Sequence, residues 1–172
     1  MDAGKNEFQF GRYFQQISRV LMHPREFFMG IGEEEPWSKP VWTLMVSGGI
    51  FSVASVISAM PSNPIFMGMV LWFNAAGMVL IASGLGYGLV KILKIDVSFL
   101  KVFGVYAYAS SAVLVLAWMP FMLWITEIWR WWLIGCGLTT GCGIPVKKAV
   151  VIIVLSVILL ALVFHLAFSI TR

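Results

Sequence analysis

Four side chains in this 172-residue chain stand where chemistry would be least expected: Asn74, Glu127, Arg130 and His165 each interrupt a long apolar run. A charge at the centre of a bilayer costs roughly 2.5 to 3.5 kcal/mol on insertion scales, so intramembrane polar groups are functional candidates by default. Glu127 and Arg130 are three residues apart; on a helix they share a face and can pair, as a structural ion pair or as part of a polar pathway. Asn74 and His165 fall toward the same outer half of their runs, so all four could converge on one outward-facing cavity. Their plainer roles are an interhelical hydrogen bond for Asn74 and an interfacial position for His165.

Other candidates carry less. Cys136 and Cys142 are too few for a disulfide framework and have no acidic or histidine neighbour, which reads as structural thiols. Gly84-Leu85-Gly86-Tyr87-Gly88 superficially resembles a potassium-filter loop or a nucleotide-binding turn, but it lies inside a long apolar helix. Gly84 with Gly88, and Gly48 with Ser52, instead have the four-residue small spacing that lets helices approach closely. Beyond Pro40 the acidic residues are Asp96, a local partner for nearby lysines, and Glu127. With no zincin motif, phosphate loop or serine-nucleophile motif, no catalysis is expected, and no metal or cofactor.

A second group precedes the apolar runs. Phe10, Tyr13, Phe14, Ile17, Val20 and Leu21 recur at three- and four-residue steps, with Arg12, Gln15, Gln16 and Arg19 between them. This pattern predicts an amphipathic helix, lying in the headgroup region or packing its apolar face on the ends of the spans. Pro24 opens a further helix carrying Arg25, Phe27 and Phe28. Arg12, Arg19 and Arg25 are expected to engage anionic headgroups or an acidic partner, and Phe14, Phe27 and Phe28 to insert. The acidic run Glu33 to Glu35 reads as a solvated loop.

The elements that must hold these residues follow from composition. The chain is 60% hydrophobic and 12% charged, against about 45 to 50% and about 25% in soluble domains. Twenty charged side chains cannot cover that much apolar surface, so a soluble enzyme, a disordered tail and a secreted disulfide scaffold are excluded. What remains is an all-α polytopic membrane bundle. Eleven of the charged residues lie in the first forty, which divides the chain into a cytoplasmic amphipathic segment, 1–40, and a transmembrane domain, 41–172.

Hydrocarbon about 30 Å thick needs about 20 apolar residues per helix. Five stretches qualify: 41–60, 65–93, 99–119, 120–138 and 149–170. The fourth contains Glu127 and Arg130, and its alternative is a re-entrant or interfacial hairpin. Five spans with the N-terminus inside place ten Lys and Arg residues in the cytoplasm and one outside, as the positive-inside rule requires. The net charge of +4 is thereby explained without nucleic acid. Trp37, Trp42 and Trp118 mark borders, and Trp129, Trp131 and Trp132 either cover Arg130 or mark an interface. No cleavable leader is expected at the start.

The run Leu21-Met22-His23-Pro24-Arg25-Glu26-Phe27-Phe28, followed by acidic residues, Trp37 and Pro40, resembles the opening of prokaryotic members of the Yip1 domain family. Ser98 to Phe103, Tyr106-Ala107-Tyr108-Ala109, Pro120 and the Gly135 to Gly143 loop extend the resemblance, while Ser110 and Ser111 stand where such chains often have proline. The resemblance implies five membrane helices with a cytoplasmic N-terminus. Eukaryotic relatives are associated with vesicle trafficking and Rab GTPases. The expected function is therefore a membrane scaffold that associates with lipid, a protein partner or a second copy of itself. The alternative is a small oligomeric channel or transporter using the intramembrane polar residues.

Overall fold

The computed structural model describes residues 10–31 and 36–170, so the acidic run Glu33 to Glu35 lies outside the described residues. Among the described residues every regular element is helical: α1 (Phe10–Met22), α2 (Pro24–Met29), α3 (Ser38–Ala59), α4 (Pro64–Ile92), α5 (Phe99–Leu114), α6 (Leu123–Cys136) and α7 (Val146–Ile170). A short 3-10 turn (Pro120–Met122) precedes α6, and a π turn (Gly137–Gly141) follows it.

Local chemistry sets the boundaries. Pro24 and Pro64 occupy first-turn positions of α2 and α4, where a missing N–H costs nothing. The Asn63 side chain accepts from Phe66 N at 3.2 Å, and Ser98 caps α5 by accepting from Lys101 N at 3.4 Å. Met60 ends α3 in the left-handed region, φ 44°, and the chain turns directly into α4. Helix α5 runs unbroken through Ser110 and Ser111.

Helices α3, α4 and α7 are long and apolar enough to cross a membrane. The stretches expected as third and fourth spans are shorter. Helix α5 has 16 residues and α6 has 14, roughly 24 and 21 Å at 1.5 Å per residue. Composition hid this, because the turns from Val115 to Met122 are as apolar as the helices they join.

Helix α5 is the centre of the bundle, with every residue from Val102 to Val113 buried. Packing is concentrated at one end. In α3 the last buried residue is Ser52, in α4 the first is Val79, and in α7, among the described residues, the last is Leu160. The same end carries Lys91, Lys94, Lys101, Lys147 and Lys148. The opposite ends of α3, α4 and α7 expose Ile57, Ile65, Phe66, Phe73 and Leu166, an unpacked apolar surface suited to lipid rather than water.

Candidate functional site

Two places gather polar groups. The first lies where α4, α5, α6 and α7 meet. Arg130 pairs with Glu127 at 2.6 Å, its guanidinium lies 5.4 Å from the Trp131 ring centre, and its side chain is 24% exposed against 48% for Glu127. Trp131 thus covers the charge, whereas Trp129 and Trp132 pack on each other. Arg130 also lines a cavity of about 10 Å³ with Met78, Val79, Ala82, Tyr106, Ser110 and Leu160, room for about one water.

The neighbouring hydroxyls are unusual. Thr43, Ser52, Thr126 and Thr140 donate to carbonyls one turn earlier at 2.7 to 2.9 Å, the ordinary solution in an apolar helix. The buried hydroxyls of Tyr106, Ser111 and Ser156 make no hydrogen bond of regular geometry, although Ser156 faces Tyr106 across the α5/α7 contact. A stretch reading Tyr-Ala-Tyr-Ala-Ser-Ser inside an apolar run was the available signal for this node.

Asn74 and His165 do not join it. Both are exposed. The buried stripe of α4 is Val79, Ser83, Gly86 and Val90, and Asn74, five residues before Val79, is turned about 140° from it at 100° per residue. His165 is equally displaced from Leu160, so the expected four-residue cavity does not form.

The glycine expectation is also corrected. A Cβ at Gly84 or Gly88 would meet nothing within 4 Å. The close approach is at Gly86, where a Cβ would collide with the Tyr106 hydroxyl. Gly48 does serve close packing: it lies under Trp72, whose indole donates to Met45 O at 3.0 Å.

The second place is the N-terminal arm. Tyr13, Ile17 and Val20 are buried against the bundle, and Tyr13 shares a 2.6 Å hydrogen bond with Ser47 on α3. Burial pushes the Tyr13 phenol above its ordinary pKa, partly offset by that bond. The apolar face of α1 therefore packs on protein, leaving Arg12, Phe14 and Arg19 outward. Arg25 on α2 is exposed and its side chain reaches toward the Cys136 thiol.

Phe28, expected to insert into lipid, is fully buried instead. It occupies a notch beside Val105 where Gly137 and Gly141 lack side chains, and the adjoining Phe27 meets Tyr108 edge-on at 5.1 Å. The glycines of the π turn create that notch, so the ring finds a protein seat before any lipid. A groove of about 460 Å³ lined by Arg19, His23, Glu26, Phe27, Gly30 and Ile31 opens between α1 and α2.

Both cysteines are free thiols; burial pushes Cys142 up to about 11, with Lys101 pulling the other way, which leaves it a poor nucleophile at neutral pH. Asp96 pairs with Lys91 at 3.9 Å.

No curated protein and no solved structure matches the chain. The Yip1 domain profile, however, covers residues 18–168, from the second half of α1 to within two residues of the end of α7. The chain is a membrane protein of the Yip1 domain family.

Proposed function

We propose that this Yip1 domain protein acts by association rather than catalysis, presenting its N-terminal arm to anionic lipid headgroups or an acidic partner on the cytoplasmic side. One observation carries the reading: α1 is fixed to the bundle through Tyr13, Ile17 and Val20 and holds Arg12, Phe14 and Arg19 outward, with Arg25 exposed on α2. Cations fixed near a bilayer surface gain about 1 kcal/mol each from anionic lipid. The lysine-rich end falls on the same side by the positive-inside rule. That assignment holds for five crossings and for three, because α5 and α6 together return the chain to the end from which it left. The channel reading loses support because Asn74 and His165 face away from Arg130.

The test is charge reversal, Arg12→Glu, Arg19→Glu and Arg25→Glu together, followed by mass spectrometry of lipids and proteins retained on the purified protein. Retained anionic lipid or acidic partner should fall while helical content stays the same. Unchanged retention would overturn the reading.

A further inference from the structure

Helices α1 and α2 are each pinned to the bundle on one side and open on the other. Tyr13 ties α1 to α3 through Ser47, while on α2 the Phe27 ring lies edge-on against Tyr108 and Phe28 fills its notch. The groove between them therefore has two anchored walls, and its shape is set before anything binds. His23 N donates to Arg19 O at 2.9 Å, so these two lining residues stand one turn apart; Gly30 N donates to Glu26 O at 3.2 Å, which spaces the other pair alike. Half-buried Phe27 and buried Ile31 supply the apolar part of the lining. Its two formal charges are opposite and unneutralised. Among the described residues, ion pairs form at Lys91–Asp96 and Arg130–Glu127, whereas Arg19 and Glu26, both exposed on this one groove, make none. The volume of about 460 Å³ falls within the range of about 300 to 1,000 Å³ usual for small-molecule sites. A purely anionic ligand would satisfy Arg19 and be repelled by Glu26, so the lining matches a ligand that carries both signs on a short spacer.

We propose that this groove seats the phosphoethanolamine headgroup of a membrane lipid, its phosphate on Arg19 and His23 and its ammonium on Glu26. A guanidinium offers phosphate two parallel N–H donors and an imidazole adds another. The Glu26 carboxylate accepts from the primary ammonium. A phosphocholine headgroup fits less well, because a trimethylated ammonium has no N–H to donate and is ordinarily held in a cage of aromatic rings, of which this lining has Phe27 alone. The source is a lipid rather than free phosphoethanolamine. Met22 and Met29, each next in sequence to a lining residue, are exposed, as is Phe14 on the helix that carries Arg19, the mixture of apolar and charged side chains that belongs at a headgroup boundary. The inference rests on the arm lying at that boundary, as in the proposed function, and adds Glu26, which that reading does not use.

Native mass spectrometry of the full chain in detergent tests this, with phosphatidylethanolamine and phosphatidylcholine of identical acyl chains added in equal amounts. The parent should retain the ethanolamine lipid roughly tenfold over the choline lipid, the lower end of what a hydrogen bond to a charged group supplies. Glu26→Gln, which keeps the shape of an exposed side chain, should bring the ratio to about parity. Arg19→Gln should lower retention of both lipids, since both carry the phosphate. Equal retention by the parent, a preference that survives Glu26→Gln, or undiminished retention in Arg19→Gln overturns the proposal. Displacement of the lipid by an equal concentration of free phosphoethanolamine overturns the lipid as the source. Both lipids are without net charge, so their ratio is blind to the anionic-lipid surface of Arg12 and Arg25, and its failure leaves that reading to the charge-reversal experiment.

Discussion

The Tyr106 hydroxyl lies against the bare backbone of Gly86, closer than any side chain at that position would permit. One aromatic ring on α5 thereby sets how near α4 can come. The expected consequence is that Gly86→Ala destabilises the protein by about 1 to 3 kcal/mol, the usual range for overpacking a filled core. Gly84→Ala, two residues away with open space around it, should be neutral, and Tyr106→Phe should recover part of the Gly86→Ala loss. Thermal unfolding of the four proteins in one detergent checks this. Equal melting temperatures for Gly86→Ala and Gly84→Ala would remove Tyr106 as the determinant of helix spacing.

The seat of Phe28 predicts how the arm is retained. Phe28→Ala empties a fully buried site and should cost about 3 to 5 kcal/mol, as large aromatic deletions in cores do. Phe14→Ala, with half of its ring already exposed, should cost far less. Limited proteolysis between α2 and α3 should accelerate in the Phe28 variant and stay slow in the Phe14 variant. Similar cleavage rates would mean that Phe28 does not hold the arm.

Tyr13 makes the same attachment pH-dependent. Its phenol is raised above the ordinary value of about 10 by burial, so below that value both folded and unfolded chains are protonated and the attachment is at full strength. As pH rises past it, the unfolded chain loses the proton first and stability falls until the folded phenol titrates too. Tyr13→Phe should lose about 1 kcal/mol at neutral pH with the Ser47 bond, and its melting temperature should decline less steeply in alkali than that of the parent. Parallel alkaline profiles would exclude Tyr13 as the source.

Periodicity and capping chemistry made much of this legible. The arm was readable because Tyr13, Ile17 and Val20 fall on one stripe and Pro24 announces a second helix; the observed α1 ends one residue beyond the expected Leu21. Helices α3, α4 and α7 were readable from length and apolarity. The ends of α5 and α6 fall short of the expected 99–119 and 120–138, because a turn made of Leu116, Trp118 and Phe121 has no polar punctuation, leaving Pro120 as the lone signal. Residue type cannot say which of Gly84, Gly86 and Gly88 receives a neighbour; that depends on where the α5 ring arrives, a tertiary fact. For the same reason Glu127 and Arg130, three apart on one helix, were paired correctly, whereas Asn74 and His165 needed the rotational setting of two separate helices.

The π turn at Gly137–Gly141 contains surplus backbone relative to a regular helix. Phe28 and Val105 fill the spaces beside Gly137 and Gly141, so the arm is keyed into a stretch whose winding departs from the regular helix, and a side chain added at either glycine would evict the key.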